Sequence, residues 1–233
     1  DSIADLNSQL NTPIDMSALH RIDAGHFAAT EMAFRDWDAE GEVPATCSKC
    51  HSAAGLPLFV KEAAASADKV TGVTIAQPVS QGFECQTCHD VTQFPATYAV
   101  AGAKFPSGAV ISFGDGAPAN LCITCHQGRE STVSVNKAIG DLPADAVSVD
   151  LRFRNPHYFG AGATLFGTEA KGAYEFTGKE YLGHHAHVDA GQTCVTCHNS
   201  HELGVNTELC AGCHPGNKGP ETIRMGTTDY DGD

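Results

Sequence analysis

Five times in this chain a cysteine is followed three places on by a second cysteine and then at once by a histidine. The copies are Cys47, Cys50, His51; Cys85, Cys88, His89; Cys122, Cys125, His126; Cys194, Cys197, His198; and Cys210, Cys213, His214. They use all ten cysteines, so none is left for a disulfide or a catalytic thiol. Two thiols at this spacing beside an imidazole suit covalent attachment of a c-type haem. The thiols add to the porphyrin vinyls, and the histidine becomes the proximal ligand to iron. A Cys-x-x-Cys can also be a zinc half-site or a redox dithiol. Zinc sites do not demand a histidine after every second cysteine, and a thioredoxin-like dithiol does not come in fives. The sequence therefore predicts five covalently bound haems.

Each iron then needs a second axial ligand or an open position. With five of the 12 histidines proximal, seven remain: His20, His26, His157, His184, His185, His187 and His201. Set against only Met16, Met32 and Met225, that surplus favours histidine on both faces of every iron. A bis-histidine haem is saturated and of low potential, so it transfers electrons and does not readily bind substrate. A reductase with an open haem would show a variant motif such as Cys-x-x-Cys-Lys or a shortage of histidines. Neither is seen, and the expectation is a protein that is not an enzyme and has no catalytic residues.

His201 stands three residues beyond His198 and cannot easily turn back to the same iron, so it is expected on a neighbouring one. His26 and His157 are the next candidates. His184, His185 and His187 crowd four residues, and His187 is favoured among them. His20 completes the five, with His184 or His185 as the alternative. Arg129, Arg152 and Arg154 are either propionate partners or solvated surface charge.

The elements that must position these residues look sparse. Five haems in 233 residues leave so little chain per haem that the porphyrins must form much of the core. The expected fold class is a multihaem cytochrome c of low regular secondary structure, with short helices at the haem motifs and a few small β-hairpins, wrapped around a chain of five haems. The counts of Gly, 24, and Pro, 11, agree with a loop-rich wrap. Residues 1–24 are polar and aperiodic and form an extended N-terminal arm. Residues 25–220 form the pentahaem domain, and 221–233 a polar tail.

Within the domain, 25–41 is predicted as a helix, with Phe27, Thr30, Phe34 and Trp37 near a three-to-four spacing. Residues 56–69 form a second helix. Residues 72–82 make at most a short strand because Pro78 interrupts them. A hairpin is expected over 105–120, with Val110, Ile111 and Phe113 in one arm and Gly-Asp-Gly as the turn. A second small hairpin is expected over 171–183. The motif starts are separated by 38, 37, 72 and 16 residues. The shortest interval leaves no room for a domain, so the fourth and fifth haems are expected to be near neighbours.

Fourteen basic residues face 28 acidic ones, and propionates would add negative charge. That argues against nucleic acid and anionic membrane surfaces as partners. No apolar run is long enough to span a bilayer. No signal peptide is visible, so Asp1 is expected to be a mature start. Haems are attached to such motifs outside the cytoplasm, so the protein is expected to be exported: extracellular or at the cell surface, with the periplasm as the alternative. Asp229, Asp231 and Asp233 fit the first positions of a calcium loop, and the competing reading is a polar disordered end.

Four stretches carry a resemblance: "HFAATEMAFRDWDAEGEVPATCSKCHSAAG", "NLCITCHQGRESTVSVNKAI", "RFRNPHYFGAGATLFGTEAKGAYEF" and "TCVTCHNSHELGV". They resemble the secreted multihaem c-type cytochromes of metal-reducing and related microbes, a class that includes extracellular cytochrome filaments. Carried over, His26, His157, His187 and His201 match histidines expected as distal ligands. Asp36 departs from the pattern, since relatives are expected often to carry histidine there. The resemblance implies a filament subunit passing electrons to external acceptors. The reach of the N-terminal arm and the need for a fifth distal histidine add the expectation of a head-to-tail joint, with His20 ligating a haem of the neighbouring subunit. The alternatives are a soluble periplasmic donor to a reductase, such as a nitrite reductase, and a multihaem reductase. Redox partner proteins or extracellular metal acceptors are the other partners expected.

Overall fold

The structure, a computed structural model, describes residues 6–15, 25–184, 187, 193–216 and 223. In chain order its elements are α1 (Met32–Arg35), β1 (Glu42–Val43), α2 (Ala45–His51), α3 (Gly55–Ala65), β2 (Gln77–Pro78), α4 (Cys85–Cys88), β3 (Ala103–Lys104) and β4 (Val110–Ile111). Then follow α5 (Ala119–Cys125), α6 (Thr132–Ile139), α7 (Ala161–Ala170), α8 (Cys194–Cys197) and α9 (Thr207–Cys213). A 3-10 turn over Gly25–Phe27 precedes α1. Among the described residues no helix is long and apolar enough to cross a membrane.

Every Cys-x-x-Cys pair lies on a short helix, which places its two thiols three residues apart on one face. The histidine then closes or leaves the last turn. His89, His126, His198 and His214 each donate a backbone hydrogen bond to the carbonyl of the first cysteine of their motif, at 2.8–3.0 Å. Helices of one or two turns do not stand alone in water. Tertiary contacts must therefore hold them.

Those contacts form two apolar clusters. One joins Ala103, Phe105, Ile111, Ile123, Phe166 and Ala170, and the other joins Leu56, Val60, Val100 and Leu121. Helix α5 belongs to both, through Leu121 on one side and Ile123 on the other. Asn120, fully buried on the same helix, donates through Nδ2 to the carbonyls of Val100 (2.8 Å) and Gly114 (2.7 Å) and accepts from the Phe113 amide (2.8 Å). Strand β1 pairs antiparallel with β2, and β3 with β4.

The sparse architecture, the helices at the motifs and the 56–69 helix match the expectations. The short strand near Pro78 also forms, pairing with β1. Residues 25–41 do not make one helix. The chain is extended at Glu31 (φ −75°, ψ 145°), and the His26 carbonyl accepts from the Phe83 amide at 2.7 Å instead of from its own next turn. The hairpin is real, but its turn is Pro106–Gly108, closed by the Phe105 amide on the Ala109 carbonyl at 2.8 Å, with Gly108 at φ +92°. Gly114–Gly116 instead leads into α5, because burial of Phe105 and Ile111 sets the pairing. Residues 171–183 form a turn closed by the Lys179 amide on Phe176, and no strand pair.

Helices α6 and α7 were not anticipated. Helix α6 begins with a reciprocal cap between Ser131 and Ser134, a local signal present in the sequence. Helix α7 is broken at Gly167 (φ +48°), where a Cβ would stand 2.1 Å from the Leu182 carbonyl. Only glycine permits that approach.

Candidate functional site

The proximal histidines of the first three motifs are oriented by backbone outside their own motifs. His51 Nδ1 lies 2.9 Å from the Ala33 carbonyl, His89 Nδ1 2.7 Å from the Pro95 carbonyl, and His126 Nδ1 2.7 Å from the Phe159 carbonyl. A carbonyl only accepts, so each Nδ1 carries the proton and each Nε2 presents a lone pair. That is the arrangement a metal-ligating histidine needs, with its tautomer and ring direction held by a second contact.

Opposite four of the five proximal histidines stands another histidine. His51 faces His157 with ring centres 5.7 Å apart, and their Nε2 atoms are 3.4 Å apart. His89 faces His201 at 6.0 Å with the rings nearly parallel. His126 faces His26 at 6.0 Å, and His214 faces His187 at 6.5 Å. Two imidazoles on opposite sides of one metal, at roughly 2 Å per bond, place their ring centres about 6 Å apart. The four pairs would therefore hold haem iron, with Cys47 and Cys50, Cys85 and Cys88, Cys122 and Cys125, and Cys210 and Cys213 as the thiols to which the porphyrins would attach. Among the described residues no three His, Cys, Asp or Glu side chains converge as a metal cage. When bound, haem supplies an iron that cycles between ferrous and ferric.

The chain's own residues set the surroundings. An open cleft of about 350 Å³ is lined by Cys47, Cys50, His51 and His157 together with Lys49, Lys104 and Arg129. Three cations around one site in a chain of net charge −14 suit the propionates of the first haem. Burial pushes the His51 and His157 imidazoles below their ordinary value, and burial beside His126 does the same to His26. Each is thereby kept neutral, the form that can ligate. His157 and Phe159 both have positive φ, +74° and +52°. This strained segment is clamped by the Arg129 amide on the Pro156 carbonyl (3.0 Å) and by Asn155 Oδ1 on the His157 amide (2.9 Å).

The cysteines of different motifs also influence one another. As free thiols, Cys50 is held down at about 7 and Cys125 pushed well above the usual range, chiefly through each other. Cys194, at about 7, and Cys122, raised, divide in the same way. As thioethers none of the four would titrate.

The structure thus brings together His26, His157, His187 and His201 with proximal partners, and His201 lies beside motif two and not back on His198. Among the described residues no histidine ring opposes His198. His20, His185 and the tail aspartates Asp229, Asp231 and Asp233 lie outside the described residues. His184 packs on Phe166 with ring centres 4.7 Å apart, and its buried Nε2 has no hydrogen-bond partner among the described residues. Arg154 reaches Glu130 at 3.7 Å, and Arg152 donates to the Val149 carbonyl. The carbonyls of Ala33, Pro95 and Phe159 were invisible to sequence reasoning, since any residue supplies one.

Among proteins of known identity, the chain is similar to C-type polyheme cytochrome OmcB of Geobacter sulfurreducens, 28% identical over 78% of this chain. C-type polyheme cytochrome OmcC of the same organism is also 28% identical, over 77% of this chain. The chain spans about 30% of the length of OmcB and 25% of that of OmcC. No family model and no solved structure matches it. With five attachment motifs, and imidazole pairs at four of them, the chain is a homologue of the multihaem c-type cytochromes of metal-reducing bacteria.

Proposed function

We propose that this protein transfers electrons through five covalent, bis-histidine c-type haems. The observation that carries the reading is the set of four opposed imidazole pairs, each combining a motif histidine with one from elsewhere in the chain. With imidazole on both faces an iron has no open position for substrate, which favours a carrier over a reductase. Resonance spectra of the oxidised protein test this: five low-spin signals are expected, and one full equivalent of high-spin haem would revive the reductase reading.

The protein acts outside the cytoplasm, as a subunit of an extracellular filament that delivers electrons to external acceptors. The proposed joint is head to tail, with His20 of one subunit opposite the His198 iron of the next. A head-to-tail contact does not close on itself and so builds a fibre. A net charge of −14 opposes self-association, and an iron–imidazole bond is strong enough to hold against it. Electron microscopy of the native protein and of His20→Ala distinguishes the cases. Filaments lost with one low-spin haem support the joint. Discrete particles in the native protein favour a soluble periplasmic donor, with His185 or His184 completing the fourth site.

A further inference from the structure

The five motifs are not evenly disposed about one another. Three contacts converge on α5. The sulfur of Cys125 lies 3.8 Å from the carbonyl of Lys49, the residue before Cys50, so motif three abuts motif one. At the other end of the pair, α5 packs against α8, so motif three abuts motif four. Cys88 of motif two joins Cys125 around the cluster of Leu56, Val60, Val100 and Leu121. Motifs one and three share a second link: residues 155–159 present His157 to His51 and the Phe159 carbonyl to His126.

Each of these sulfurs, as a thioether, is one bond from its porphyrin's side chain. Two attachment segments in contact therefore bring two porphyrin edges together. We propose that the third haem is the junction of the array: its anchors Cys125 and Cys122 set it against the first haem at Cys50 and against the fourth at Cys194, so the electronic order runs first, third, fourth and departs from the order along the chain. Each transfer moves one electron. The iron that loses it is oxidised, the iron that gains it is reduced, and no bond or proton changes place. This inference rests on the ligand pairs under Proposed function, and its test separates the two.

The test uses the five-haem protein. His26→Met replaces the imidazole opposite His126, and methionine ligation raises that haem's potential above the others. The first electron from dithionite then settles there, and ferrous low-spin iron is diamagnetic. In electron paramagnetic resonance, the ferric signals of the first and fourth haems should lose their spin–spin broadening, whether or not the second follows. His157→Met, His201→Met and His187→Met assign the first, second and fifth signals, and the remaining one is the fourth. Broadening retained on the first or the fourth overturns the junction. A His26→Met protein without a methionine-ligated haem overturns the pairing instead. If that variant does not accumulate, stepwise titration of the native protein gives the same reading from the two signals the other variants leave unassigned. The disappearance of one of them should sharpen both the first signal and the other, which marks it as the third, and no such change overturns the proposal equally.

Discussion

Helices α5 and α9 are written in the same grammar and held in opposite ways. Each has seven residues and ends in a haem motif, Ala-Asn-Leu-Cys-Ile-Thr-Cys in one and Thr-Glu-Leu-Cys-Ala-Gly-Cys in the other. Five residues of α5 are buried and none of α9. The leucine before the first cysteine is 8% exposed as Leu121 and 41% exposed as Leu209. Where α5 has Asn120, Ile123 and Thr124 to reach into two clusters, α9 has Glu208, Ala211 and Gly212. Motifs one and two resemble the third. Ser48 Oγ donates to the Ile75 carbonyl at 2.7 Å, and Thr87 Oγ1 to the Ala53 carbonyl at 2.9 Å. In motif four, Thr196 reaches, among the described residues, only its neighbour Thr193, at 3.0 Å. The Cys-x-x-Cys-His pattern is thus common to all five motifs, while the protein core among the described residues belongs to the first three.

The sharpest way to break this contrast is to empty the core beside α5. Phe105→Ala should cost about 3–5 kcal/mol, the usual range for a buried phenylalanine, read as a fall in the denaturation midpoint. A loss below about 1 kcal/mol would mean that porphyrin packing, not Phe105, holds the third motif as well. Asn120→Ala comes next. It leaves the Val100 and Gly114 carbonyls and the Phe113 amide without their partner, at about 1–3 kcal/mol for each group that stays buried and unpaired. Hydrogen exchange should show the 100–114 backbone opening with it.

Thr87→Val keeps the shape and removes one buried bond, so about 1–3 kcal/mol is expected for the orphaned Ala53 carbonyl. A neutral result would show that the carbonyl finds water. The smallest effect belongs to α9: Leu209→Ala should change stability by no more than about 0.5 kcal/mol. A larger loss would mean that α9 is buried against something other than the protein core described here.

The five motifs, with their cysteine pairs and adjoining histidines, needed no structure, because adjacency is visible in a sequence. The four histidines that stand opposite motif histidines, His26, His157, His187 and His201, were also named from the sequence, from the histidine surplus and from the segments that resemble known cytochromes. Which one meets which motif was not. His157 reaches a motif that starts 110 residues earlier, and His201 one that starts 116 residues earlier. Such pairings depend on how α2, α4 and α5 pack, not on any local pattern. The 16-residue spacing drew attention to motifs four and five, whereas the contacts that place motif three are Cys125 on the Lys49 carbonyl of motif one and α5 on α8 of motif four. Helix 25–41 failed for a related reason. Its apolar spacing was sound, but the carbonyls of His26 and Ala33 bond to Phe83 and His51, and a helix would have kept them for itself. The sequence alone determined how many Cys-x-x-Cys-His motifs there are and which residues form them. The tertiary structure decided which motifs are neighbours, because that is set by side chains such as Asn120, Leu121 and Ile123, whose partners lie on other segments of the chain.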